Sequence, residues 1–335
     1  MPGTARLSHR TVPNRALIGE GAVKAKPASG LAILVALALL ARGESAQAAE
    51  GASSHYLPGV AGDIAIAQTP APGLQIANTV WVQSGNAHRA VLQGQAEAGL
   101  DLDVVLDLVA GSYTFETPVL GGTYTIAALI PFGYAHLDAK ATGPAGGTTN
   151  ADGESFNLSD IAFVPAQLNW SVERFSFKLA EAIIAPTGGY SDHQAVNLGR
   201  NYWSFDTVGA ATWFNTDIGT ELSVAPGFMV NTENEATNYR TGDEFHVDFT
   251  ANQFLSETFA LGIRGYYYQQ VTGDSGSGAI LGSFRSESLG IGPGFFWTPK
   301  FAGGKLVVQG KWLHDLEADK RFKSDYGTLA IAWKF

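Results

Sequence analysis

From residue 73 to the C-terminus, large apolar residues recur at every second position. At the end of the chain Gly327, Leu329, Ile331, Trp333 and Phe335 interleave with Tyr326, Thr328, Ala330, Ala332 and Lys334. Phe245, Val247, Phe249 and Ala251 interleave with His246, Asp248, Thr250 and Asn252. Phe259, Leu261, Ile263, Gly265 and Tyr267 interleave with Ala260, Gly262, Arg264, Tyr266 and Tyr268. Trp203, Phe205, Ala211 and Trp213 share one face, with Ser204, Asp206 and Thr212 on the other. A period of two marks β-strands. The pattern predicts about twelve of them, at 73–84, 92–114, 122–137, 158–171, 174–186, 201–214, 217–231, 243–254, 257–271, 284–298, 304–315 and 325–335.

The chemistry of the two faces separates a membrane barrel from a soluble sandwich. Here one face is large and often aromatic, and the other is small and polar. A soluble barrel packs its bulk inward; bulk facing lipid around a polar interior is the outer-membrane arrangement. Trp203, Trp213, Tyr267, Trp297, Trp312, Trp333 and Phe335 fall near strand ends, as an interfacial girdle requires. The connections alternate long (85–91, 138–157, 187–200, 232–242, 272–283, 316–324) and short, which fits long outer loops and short periplasmic turns. The expected fold is therefore all-β: an antiparallel transmembrane β-barrel over 73–335, with ten to fourteen strands as the range. Two positions break the pattern. Pro165 interrupts its strand where the apolar face changes parity, which a bulge accommodates. Glu181 falls on an outward face, where a charge is costly.

Ahead of the strands, residues 1–30 are basic, and Leu31–Ala41 is a run of eleven apolar residues before Ala46-Gln47-Ala48. That is the layout of a cleaved secretory signal peptide, 1–48. As a helix the apolar run spans roughly 16 Å, about half a hydrocarbon core, too short to cross a membrane. Residues 49–72 are too polar and Pro-punctuated for a membrane strand. Their Tyr56, Leu57, Val60, Ile64 and Ile66 would be wet in the periplasm, so the segment is expected to fold into the lumen as a plug, with a periplasmic extension as the alternative.

Composition agrees and narrows the chemistry. Only 16% of the 335 residues are charged, 40 are glycine, 11% are aromatic and none is cysteine. Zero cysteine excludes disulfides, a cysteine-ligated metal and a cysteine nucleophile. Twenty-one bases against 31 acids, with no basic block after the leader, argue against nucleic-acid binding. Cleavage after Ala48 leaves 15 bases and 29 acids, a net charge of −14.

Candidate chemistry is sparse. Seven histidines show no ligand spacing, and no cofactor motif is present. Gly273-Asp274-Ser275-Gly276-Ser277-Gly278 looks like the surroundings of a protease nucleophile, but it lies in an outer loop without a positioned histidine and aspartate. His246, Asp248 and Arg264 should face inward together, with Asp206 and Lys178 near them, as a polar network in the lumen. The alternating acids Glu97, Asp101, Asp103 and Asp107 are placed on the same lumen side, where they would need water or bases. Lys320, Arg321 and Lys323, in an outer loop, are candidates for lipopolysaccharide phosphates.

Several words in the sequence resemble one family. They are Ser53-Ser54-His55-Tyr56-Leu57-Pro58-Gly59, Leu120-Gly121-Gly122-Thr123-Tyr124, Asn201-Tyr202-Trp203-Ser204-Phe205-Asp206, Thr241-Gly242-Asp243-Glu244-Phe245-His246 and Tyr266-Tyr267-Tyr268-Gln269-Gln270-Val271-Thr272-Gly273-Asp274. Over about 53–335 the chain resembles the meta-pathway of phenol degradation family, exported proteins classed as outer-membrane transporters. The resemblance implies a barrel that passes small, poorly soluble organic molecules, and it brings no catalytic or binding residues. The expected function is a monomeric outer-membrane channel for passive uptake of small hydrophobic or aromatic compounds. It would sit among lipid and lipopolysaccharide, and the assembly machinery would recognise the last strand, ending in Phe335. The alternatives are a lipid hydrolase on a barrel, which needs a Ser–His pair facing lipid at one rim, and a structural or adhesive barrel.

Overall fold

The computed structural model describes residues 53–92, 96–142, 148–279 and 282–335. The leader 1–48 lies outside the described residues. Thirteen strands follow in order: β1 (Gly73–Leu92), β2 (Ala96–Thr114), β3 (Thr123–Thr142), β4 (Thr148–Leu158), β5 (Ile161–Val172), β6 (Phe175–Ala185), β7 (Ser204–Asn215), β8 (Thr220–Asn231), β9 (Glu244–Ser256), β10 (Phe259–Gln270), β11 (Glu287–Trp297), β12 (Leu306–Asp319) and β13 (Lys323–Lys334). Neighbours pair antiparallel around the sheet, β1 joins β13, and β2 joins β3. The sheet thus closes on itself as a twelve-stranded barrel with no free edge in the lipid band.

The extra strand is β4. β3 pairs through its first half with β5 and through its second half with β4. β4 and β5 therefore read as one descending strand broken at Ser159-Asp160. The sequence pattern placed β4 inside the long connection 138–157. Likewise 85–91 and 316–324, read as loops, are largely continuations of β1, β12 and β13. These extensions rise beyond the lipid band, where no apolar outer face is needed and the alternation loses its signal.

Polarity reverses along β2 for the same reason. Leu100, Leu102, Val104, Leu106 and Leu108 are buried inward. Asp101 and Asp103 are exposed on the outer face, so they are not lumen residues as the alternation suggested. Above the bilayer the outer face meets water and the inner face meets packed side chains, as in a soluble barrel. Asp107 shares the outer face and accepts a hydrogen bond from Asn78. Glu97 is in β2, with its side chain outside the described ones.

Lower down the outer face is apolar, with Leu74, Ile76, Val80, Phe175, Phe177, Leu179, Leu261, Ile263, Leu329 and Ile331 all exposed. Trp297 and Trp333 stand at the ends of β11 and β13 on the short-turn side, opposite Phe259 and Leu306, and Trp213 faces Phe175 there. Trp203 and Trp312 are exposed toward the other rim, and Tyr267 is half-buried with its hydroxyl on Glu287.

The parity change at Pro165 is a bulge: the β5 register slips between Phe163 and Ala166, and the Tyr124 hydroxyl donates to the freed Pro165 carbonyl at 2.6 Å. Glu181, opposite Ala166, stays on the outer face and accepts from Thr207 Oγ1 at 2.5 Å. A carboxylate there is a standing cost. Glu181→Leu should stabilise the barrel by roughly 1–2 kcal/mol in urea unfolding from lipid vesicles; an unchanged or lower midpoint contradicts the lipid-facing placement.

Candidate functional site

Residues 53–72 descend through the barrel interior as a strap. At the top His55 Nε2 donates to Asp160 at 2.9 Å, and its Nδ1 lies 2.6 Å from the Ser204 hydroxyl. One residue on, the Tyr56 hydroxyl donates to Asp248 at 2.9 Å, and its ring stacks on His246 at 4.3 Å and on Tyr268 at 5.7 Å. Next, Gly59 N–H donates to Asp248 at 3.1 Å, while Lys311 donates to the Gly59 carbonyl and to Asp63. The backbone N–H groups of Ala65, Ile66 and Ala67 donate to Glu221, Ser223 and Thr212 at 3.0, 3.2 and 3.0 Å. At the foot Asn169 donates to the Ala67 carbonyl at 3.1 Å, and Thr69 meets Ser171 at 2.7 Å. An irregular segment has unpaired amides, and the polar inner faces of β5 and β7–β9 supply their partners.

The latch at the top is built on the break between β4 and β5. Asp160 accepts from Gly188 N–H at 2.8 Å and from Arg200 N–H at 2.6 Å as well as from His55. Gly188 and Gly199 are where the 186–203 connection crosses itself, and a Cβ on either would lie 2.6 Å from the other's backbone. Burial pushes the Asp160 carboxyl up, but the His55 hydrogen bond and these amides outweigh it and hold it below its ordinary value. Burial lowers His55 below its ordinary value, with the Asp160 hydrogen bond as partial offset. Although His55, Ser204 and Asp160 are the residue types of a catalytic triad, the Ser204 side chain is wholly buried. The contact faces the lumen, not the lipid-facing rim that a hydrolase of the expected kind would use.

The expected lumen residues are split by this arrangement. His246 pairs with Asp206 at 3.0 Å, both buried. Asp248 is taken by the strap. Arg264, equally buried, has no hydrogen-bond partner at any guanidinium nitrogen among the described residues, and the charges of Asp63 and Glu221 lie near it. Lys178 is on the inner side of β6 and half-buried. Arg321, read as a lipopolysaccharide contact, turns inward: it donates to Ser54 and to the Tyr56 carbonyl at 3.2 Å each, and lies 3.9 Å over the Tyr268 ring. Near the outer rim Asp274 accepts from Tyr239, Gln270 and Gly242 N–H, and burial raises its carboxyl to about 7.

Above the strap lies a cavity of about 190 Å³. One wall is the apolar inner face of β2 and β3, with Leu100, Leu102, Val104, Leu106, Leu129 and Leu137. The opposite wall is the 186–203 connection, with Tyr190, Gln194, Asn197 and Arg200, and the floor includes His55 and Leu57. The sequence carried a signal for the floor, in the word Ser53–Gly59. It carried none for Asp160 or for the β2 wall, whose inward leucines were read as lipid-facing.

No curated protein matches the chain in sequence. The structure is similar to an outer membrane channel of the COG4313 group from Pseudomonas putida F1, at 16% identity and a TM-score of 0.65, over 82% of this chain and 99% of that one. It is more distantly similar to the translocator domain of the autotransporter NalP from Neisseria meningitidis, at 10% identity and a TM-score of 0.45, over 80% of this chain and 91% of that one. The protein is an outer-membrane β-barrel with the fold of a channel, set among outer-membrane lipid and lipopolysaccharide. Residues 82–331 match the family described as "Putative MetA-pathway of phenol degradation", and the chain belongs to that family.

Proposed function

We propose that the protein is a channel for passive uptake of small hydrophobic or aromatic compounds. The observation that carries this reading is the cavity: an apolar wall inside a barrel whose remaining inner surface is largely polar and threaded by a strap. A water-filled porin has no use for inward leucines, whereas a poorly soluble solute leaving the outer surface needs an apolar station before it can pass. Movement follows the gradient, and the strap sets the barrier below the station. The assembly machinery would recognise β13 and the terminal Phe335.

Vesicles containing the purified protein should take up toluene and small aromatic alcohols faster than empty vesicles, with little gain for sugars of the same size. Equal permeability with and without protein would sink the channel reading.

A further inference from the structure

The strap does not fill the barrel evenly. On β8 and β9 every inward position between Glu221 and Asn252 is buried. On the other side the inward residues Thr79, Ala110, Ala127, Ala180 and Ala182 are small and half-buried. They continue toward the periplasm the faces that carry Trp81, Leu106, Leu129 and Ile184 in the cavity. A close-packed interior leaves no small inward side chain half-open, so free space runs on from the cavity between the strap and β1, β2, β3 and β6.

Lys178 faces this space from β6, on the same side as Ala180 and Ala182 and level with Asn169 and Ala210. Its ammonium has no hydrogen bond or ion pair among the described residues, and it is not one of the sealed polar atoms that lack a partner, so it is open to the passage. The other charges at this depth, Asp63, Asp206, Glu221, Asp248, Arg264 and Lys311, belong to buried side chains. Asp248, the acid whose charge reaches Lys178, is bound by Tyr56 and Gly59 and faces His246 and Lys311 as well. In the cavity above, Arg200 shares the lining with Asp160, of opposite sign. Among the described residues Lys178 is thus the open charge on the way through. A charge in a narrow wall of low dielectric focuses its field along the water that remains.

We propose that Lys178 sets the charge preference of the passage beside the strap, drawing small anions through and holding cations back. The proposal rests on the channel reading and adds a sign to it: among charged solutes of equal size, carboxylates pass before ammoniums. This preference runs against the net acidity of the chain, because acids in outer loops act through bulk water, where salt screens them beyond about 8 Å.

The test is the reversal potential of the full protein in planar bilayers across a potassium chloride gradient at neutral pH. At low salt chloride should permeate about fivefold better than potassium, the order that a single unit charge supplies across a few ångströms of water. Lys178→Gln should bring the ratio to about one, Lys178→Glu should invert it, and Lys178→Arg should keep it. A side chain that only supported the wall would change conductance or the heat-modifiable gel shift and leave the ratio alone. Uptake into vesicles should follow the same order, benzoate ahead of benzylamine, and Lys178→Gln should level the two. A parent channel that prefers potassium overturns the proposal without any variant. So does a ratio unchanged in Lys178→Gln, and in both cases the channel reading still stands. Absence of conductance together with absence of uptake overturns both.

Discussion

Deleting residues 53–70 should raise the ion conductance of single molecules in planar bilayers by on the order of tenfold. Twelve strands about 4.8 Å apart and tilted by about 40° place the backbone roughly 12 Å from the barrel axis, wide enough for an aqueous lumen. In the intact chain the strap occupies that lumen from Ser204 at the top to Ser171 at the foot. The wall itself closes through β1–β13 and β2–β3 and does not use the strap as a strand, so the barrel should assemble without it. Should the truncated chain fail to assemble, Tyr56→Ala carries the same test at smaller amplitude. It removes the bond to Asp248 and the stacking on His246 and Tyr268 without touching the wall. Acidification should act in the same direction. His55 has a lower proton affinity in the docked strap than when free, so its contribution to docking is complete above about pH 6.5 and is lost as pH falls through the lowered value. Asp160, also held below its ordinary value, adds a further loss in more acidic solution. Conductance should therefore climb as pH falls below about 6.5, and His55→Gln should flatten the climb. A truncated channel no more conductive than the parent would refute the strap as the barrier.

How far the sequence reached depended on what the surroundings demanded of each residue. Lipid enforces alternation, so all twelve spans were legible, and so was the bulge at Pro165, because a parity change in an apolar face has few other causes. Where β1, β2 and β3 leave the lipid, water replaces it outside and the rule inverts. Asp101 and Asp103 then look like lumen residues although Leu100, Leu102 and Val104 hold the inside. Apolar residues in the polar stretch 49–72 suggest a plug, but the partners of such a segment are not legible in the sequence. Asp160 matters because two strands break beside it, and Arg321 because a short turn points it at Tyr268. In sequence the first is one acid among many, and the second sits in a mixed-charge run that resembles a solvated loop. The alternation does not give the pairs inside the barrel either: Asp248 is taken by the strap and not by Arg264.

Breaking the pair between Lys311 and Asp63 should produce the largest stability effect of any single polar substitution in the lumen. Both side chains are almost fully buried, at 3% and 6% exposure. Lys311 also holds the Gly59 carbonyl, so one ammonium pins the strap at two points. A buried ion pair gains little over an apolar pair, but losing one member leaves the other charge stranded, at about 3–5 kcal/mol. Lys311→Met should weaken strap docking by that order, read as faster proteolysis within 53–72 and higher conductance. The two single variants should not be equal. Arg264 lies within reach of the Asp63 charge and has no side-chain hydrogen bond among the described residues, so it can partly compensate Asp63 when Lys311 is gone. Asp63→Leu has less relief: it leaves two buried cations, Lys311 and Arg264, each near one carboxylate, Asp248 and Glu221, with which it makes no direct ion pair among the described residues. Asp63→Leu should therefore be the more damaging, and combining it with Lys311→Met should recover most of the loss by removing one cation with the anion. Equal single-variant losses would show that Arg264 does not share the Asp63 charge. Single variants as stable as the parent would show that this pair does not anchor the strap.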